Sequence, residues 1–198
     1  MKLQHPFMLH PVESLLEGTT DLDGYLKKLR AYARTRRSLS TPADQPDDDQ
    51  LKTIGDGFEL FGEFFIRSMG AIDNRILVDN YRLLNISDNG VDAEAEDPRD
   101  GREIFIQYKC YRETEILSGH RSHLDSFVAE VGMIMRERYP DGVLAKGWPR
   151  MLVVTSAQGM ARYTQETKYR GTVECYPIKD LRELTASPAF WKQFRSCV

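Results

Sequence analysis

NGVDAEAEDPRDGREIFIQYKCYR, residues 89–112, holds two segments of strand character around the turn signature PRDG. Side chains alternate across an extended chain, so Phe105, Gln107 and Lys109 share one side of the second segment, and Ile104, Ile106 and Tyr108 the other. One face is available for chemistry while the other can enter a core. Gly90-Val91-Asp92 sets an acid ahead of the first segment, and Gly90 allows a sharp turn or a close approach to a phosphate. An acid followed by a strand ending in an amide-x-lysine pair is an economical way to hold a divalent metal beside a cation, the outline of phosphodiester chemistry. In a regular strand Glu94 points the same way as Asp92, whereas Glu96, Asp97 and Asp100 fall with the turn and are expected on the hairpin surface.

Working outward, Asn74 to Asn85 reads as a strand and Ile86 to Asn89 as a turn that delivers Asp92. Tyr111 to His120 is a polar connection, in and after which Arg112, His120, Arg121 and His123 are candidates for phosphate contact. A helix is expected from His123 to Arg138, with Leu124, Phe127, Val128, Val131, Ile134 and Met135 on its apolar face. It would be the crossover that parallel strands require. Pro149 to Ala157, PRMLVVTSA, suits a buried parallel strand, with Thr155 and Ser156 at its C-terminal end either facing a ligand or terminating the strand. Gly159 to Gly171 interleaves Arg162, Lys168 and Arg170 with Tyr163 and Tyr169, the pattern of a nucleic-acid surface or of a solvated helix. Val173 to Ile178 supplies a last strand. Asp180 to Leu184, and then the cap-and-proline pair Ser187-Pro188, open the closing helices.

Toward the N-terminus, Leu22, Tyr25, Leu26, Leu29, Tyr32 and Ala33 give helical spacing within Pro11 to Arg37, with Asp21 or Thr20 as the cap and the basic Arg34, Arg36 and Arg37 at the far end. Ser38 to Gln50, with two prolines and four aspartates, reads as a linker or exposed loop. Asp56 to Met69 reads as a helix with Phe58, Phe61, Phe65 and Met69 on its buried stripe. Glu59 and Glu63, four apart, share a different face, on which Glu63 is expected to be solvated. The organisation expected is thus an N-terminal helical extension with an acidic linker over 1–50 and an α/β domain over 51–198.

The 198 residues, 41% hydrophobic and 29% charged, suit one α/β domain with a modest extension. Three cysteines without C-x-x-C spacing argue against a disulfide framework or a zinc site. No apolar run is long enough to span a membrane and MKLQHPFMLHP has no signal-peptide character, so a cytoplasmic location is expected. A net charge of -3 is not that of a simple DNA-coating protein. Charge is uneven, however: residues 1–100 hold 12 Lys and Arg against 19 Asp and Glu, and residues 101–198 hold 15 against 11. Local acid for a metal and local base for phosphate are compatible with that asymmetry.

Taken in order, Gly57-Phe58-Glu59, Gly90-Val91-Asp92, Gln107-Tyr108-Lys109, Cys110-Tyr111 and Leu124-Asp125-Ser126-Phe127 resemble the PD-(D/E)xK, restriction-endonuclease-like nucleases of the Mrr-like branch, with Q-x-K in place of the more usual E-x-K. The match covers residues 51–185, and the nearest likeness is to nuclease domains that sit in front of helicase-like motors in phage or restriction proteins. The resemblance implies a mixed central sheet flanked by helices and a metal-dependent DNA endonuclease. It further implies Mg²⁺ or Mn²⁺ on Asp92, Gln107 and Glu59, with Glu63 the reserve candidate for the place of Glu59 and Lys109 at the attacking water. It implies phosphate contacts from Arg112, His120, Arg121, Arg162, Lys168 and Arg170. DNA is the implied partner, with a helicase or translocase module in the same or another chain, and there is room for a homodimer. The alternative from another class is a nucleic-acid-binding or assembly module that keeps the fold without cleavage.

Overall fold

The computed structural model describes residues 1–36, 48–71, 75–84, 90–118, 124–161 and 172–198. It is an α/β structure with a five-stranded mixed sheet flanked by helices. The strands are β1 (Asp79–Leu83), β2 (Ala93–Glu96), β3 (Glu103–Lys109), β4 (Arg150–Thr155) and β5 (Val173–Tyr176), adjacent in that order. β1, β2 and β3 form an antiparallel meander, and β4 and β5 continue parallel to β3. The parallel step from β3 to β4 is made by helix α4 (Leu124–Arg138), since a parallel pair cannot be closed by a tight turn.

Alternation decides the two faces. Val91, Phe105, Met151 and Val153 pack with Leu124, Phe127, Val131 and Met135 of α4 in one cluster. Ile104, Ile106, Leu152 and Val154, on the opposite side, are equally buried. β3 and β4 are therefore covered on both faces, as apolar central strands of parallel sheets are. Residues 97–102 close the β2–β3 hairpin, but Asp97 is not on its surface. It is fully buried, accepting from Arg99 Nε at 2.8 Å and Arg150 at 2.7 Å. The Arg99 hydrogen bond, ahead of the Arg150 bond, holds its carboxyl well below the usual carboxylate range.

The chain packs as two units, Met1–Phe65 with Asp180–Val198, and Ile66–Lys179, which holds the sheet. In the first unit α1 (Val12–Leu16), α2 (Leu22–Thr35), most of α3 (Asp48–Ser68), most of α5 (Ile178–Leu184) and α6 (Pro188–Arg195) surround an aromatic core. There Phe61 stacks on Trp191 at 6.0 Å and Phe64 on Phe194 at 4.5 Å. The Tyr25 hydroxyl donates to the Gly57 carbonyl at 2.7 Å. A Cβ on Gly57 would lie 2.3 Å from Leu29 Cδ1, so glycine is what lets α2 and α3 approach this closely.

The helix within Pro11 to Arg37 starts at its expected cap, Asp21, which accepts the Gly24 amide at 2.7 Å, and a separate short helix, α1, precedes it across Gly18 at φ +64; Arg37 lies outside the described residues. Two boundaries differ from the sequence expectation. α3 starts at Asp48 instead of Asp56, because acidic residues in a first turn complement the helix dipole. β1 is shorter than expected and irregular, with Asn80 at φ +52. Asn74 and Asn85 to Asn89 lie outside the described residues. Among the described residues no helix is long and apolar enough to cross a membrane.

Candidate active site

Asp92 immediately precedes β2, and its amide donates to the carbonyl of Ile106, the register partner of Ala93, at 2.9 Å. The Asp92 carboxylate then accepts the Tyr108 amide through Oδ2 at 2.6 Å. Asp92 is in this way tied to the residues on either side of Gln107. Glu94 does not join it: its carboxylate is held by Arg82 and by Arg138, the latter at 2.6 Å.

Gln107 is fully buried, and its Nε2 donates to the Gly90 carbonyl at 2.6 Å. A carbonyl only accepts, so the amide nitrogen must face Gly90 and the side-chain oxygen is fixed at the other end. That oxygen is buried and has no hydrogen-bond partner among the described residues. Leaving such an atom unsatisfied costs roughly 1–3 kcal/mol, so its position suits a hydrogen-bond donor or a cation. Gly90 sits at φ +86, and a Cβ there would lie 2.9 Å from Gln107 Nε2 and 3.5 Å from the Phe127 backbone. The glycine is required twice over, by its dihedral and by the seat it gives the amide.

Lys109 ends β3 in register with Thr155. Its ammonium has no hydrogen-bond or ion-pair partner among the described residues, and neither has the exposed guanidinium of Arg112 three residues on. The fully buried Thr155 and Ser156 hold the backbone here. Thr155 Oγ1 donates to the Lys109 carbonyl at 2.9 Å, and Ser156 Oγ donates to the Tyr111 carbonyl at 2.7 Å. Of the two roles open to these hydroxyls, facing a ligand or ending the strand, this geometry serves the second. Neighbouring Tyr111 is itself pushed up in pKa, by burial and then by Glu115.

Glu59 belongs to the first unit. His5 Nδ1 accepts the Phe7 amide at 3.1 Å, which leaves the ring proton on Nε2 to donate to Glu59 Oε2 at 3.0 Å. Glu63 corrects the expectation of a solvated charge. It is fully buried and accepts the Gln4 amide at 2.8 Å and the His5 amide at 2.9 Å. Asp56, one turn before Glu59, has its carboxyl pushed up by burial and then by the Glu59 charge. Nothing in the histidine spacing announced His5; the usable signal was His5-Pro6, a cap followed by proline at the start of the 3-10 turn Pro6–Leu9.

His120, Arg121, Arg162, Lys168 and Arg170 lie outside the described residues, as does His123. The described chain flanks both groups at one place, where Leu117 bridges Met160 in parallel and exchanges bonds with Gly159 and Ala161 at 2.8 and 2.7 Å. Among the described residues no three His, Cys, Asp or Glu side chains are grouped to hold a metal. Asp92 and Gln107 are each tied into this segment, the first through the Tyr108 amide and the second through the Gly90 carbonyl. No protein-family model matches the chain, and no curated protein matches it.

Proposed function

We propose that this chain is a divalent-metal-dependent deoxyribonuclease with a restriction-endonuclease-like core. The observation that carries the reading is the buried, partnerless oxygen of Gln107, bracketed by Asp92 and two residues before Lys109. Oxygen donors suit Mg²⁺ or Mn²⁺, and a carboxylate has enough lone pairs to hold the Tyr108 amide and still serve a cation. Asp92 and Gln107 are the residues that hold the ion. The neutral amide lowers the ligand charge and with it the affinity. Once bound, the ion supplies Lewis acidity at the phosphate and a more acidic water.

Lys109 presents a compact positive charge to the phosphate oxygens and the attacking water, where negative charge develops. Arg112 binds the flanking phosphate. Water attacks phosphorus and the bond to the 3′ oxygen breaks, leaving a 3′-hydroxyl and a 5′-phosphate, the products the resemblance implies. A helicase or translocase module in the same or another chain fits this reading as the partner that delivers DNA.

The test is cleavage of supercoiled plasmid and labelled single-stranded DNA with Mg²⁺ or Mn²⁺, for the wild type, Asp92→Ala and Lys109→Ala. The expected result is metal-dependent cutting that drops by roughly 100-fold or more in each variant. Cutting that survives both substitutions would sink the proposal. The neutral amide at position 107 favours a second reading, a nucleic-acid-binding module without cleavage. It predicts salt-sensitive DNA binding by the wild type and no cutting at any metal concentration.

A further inference from the structure

We infer that Thr155 and Ser156 are positioning residues for Lys109, an inference that rests on the nuclease reading of that lysine. The β3–β4 ladder runs in register up to Lys109 and Thr155, and both strands end there. Beyond that point Cys110 and Tyr111 have no strand partner among the described residues. The two hydroxyls take over. The Lys109 carbonyl receives two donors from one short segment, Thr155 Oγ1 at 2.9 Å and the Ser156 amide at 3.1 Å. Thr155 Oγ1 in turn accepts the Ala157 amide at 3.1 Å, which orients its proton toward Lys109.

Ser156 treats Tyr111 as a neighbouring strand would. Its Oγ accepts the Tyr111 amide at 2.7 Å and donates to the Tyr111 carbonyl at 2.7 Å. One hydroxyl thus supplies the donor and the acceptor of a missing ladder residue. Both side chains are fully buried and fully used, so neither is left to bind a ligand directly. The product of this arrangement is a rigid backbone under a lysine whose ammonium has no partner among the described residues. Bonding the ammonium would neutralise it, whereas anchoring the main chain aims it and leaves its charge available.

The variants are Ser156→Ala, Thr155→Val and the conservative Thr155→Ser. Amide hydrogen exchange in the free protein reads the anchor itself: the Tyr111 amide should exchange at least about tenfold faster in Ser156→Ala, from loss of one buried hydrogen bond. DNA cleavage reads the consequence. In Thr155→Val and Ser156→Ala kcat should fall roughly 10- to 100-fold with KM within about twofold, and Thr155→Ser should restore it. Thermal unfolding identifies the folded fraction, and Ser156→Ala removes only one oxygen, so it stands if Thr155→Val misfolds. A wild-type kcat in folded variants, or unchanged Tyr111 exchange in Ser156→Ala, overturns the inference while leaving the nuclease reading intact. A wild type that does not cut overturns the nuclease reading and the inference with it, and the failure then shows before any substitution is made.

Discussion

Glu63 and Gln107 are near-isosteric side chains, each wholly buried, one on the helix of the first unit and one on the central strand of the second. Glu63 carries a charge and is fully served, taking the amides of Gln4 and His5 on its two oxygens. Gln107 is neutral and only half served, with Nε2 on Gly90 and its oxygen without a partner among the described residues. Burial alone does not separate structural from chemical groups. What separates them is whether the protein itself completes their hydrogen bonding. By that criterion Glu63 is a clasp for the N-terminal segment, and the Gln107 oxygen is the atom that the proposed function assigns to a cation.

The sharpest way to break the contrast is to remove both groups. Glu63→Ala strands two amides in the interior and should cost on the order of 3 kcal/mol in urea unfolding. Gln107→Met deletes the orphan oxygen but strands one group, the Gly90 carbonyl, so it should cost about 1 kcal/mol, less than Glu63→Ala, while abolishing Mn²⁺ binding in calorimetry. Equal stability losses would erase the distinction between the two sites.

A smaller change sharpens it. Gln107→Glu sets a carboxylate oxygen against the Gly90 carbonyl, 2.6 Å away in the wild type. The variant should lose roughly 2 kcal/mol at neutral pH. Because burial and the facing carbonyl favour the protonated acid, its folded pKa rises above the unfolded one, so the loss should shrink as the pH falls toward 4. Urea unfolding from pH 4 to pH 8 reads this directly, and a loss independent of pH would mean that the Gly90 contact does not select the amide. On this account the amide at position 107 is a geometric requirement of the Gly90 carbonyl.

How much of this was legible in the sequence follows from the range over which each signal acts. Leu124, Phe127, Val131 and Met135 state the buried face of α4 through local spacing, and the apolar run before Thr155 states β4. The alternation through Gln107 and Lys109 gave the side of β3, but not the bonds of Asp92 to the Ile106 carbonyl and the Tyr108 amide, which depend on the pairing of two strands. Glu63 was misread because a helical wheel gives the direction of a side chain and not what lies over it. Its partners, Gln4 and His5, are nearly sixty residues away. Asp97 was misread for the same reason, since the arginine that helps bury it, Arg150, is 53 residues on. The roles of Thr155 and Ser156 rest on a pairing to Lys109 and Tyr111 that only the parallel register creates.

Asp56 gives the finest test, because it lies on the same helix as Glu63 yet is only partly buried. Burial and then the Glu59 charge raise its folded pKa above the ordinary 3.8, with His5 and Lys52 opposing. A carboxylate shifted upward is disfavoured as the anion in the folded state. Stability should therefore fall as the pH rises from about 3.8 through the higher folded pKa. Asp56→Asn removes that penalty and should gain under about 1 kcal/mol at pH 7, after allowing for solvent screening of a group still partly exposed. Below pH 3, where both states are protonated, the variant and wild type should unfold together. An asparagine variant that is less stable at pH 7 would mean that the Asp56 anion is held in place by His5 and Lys52, making it a second clasp beside Glu63.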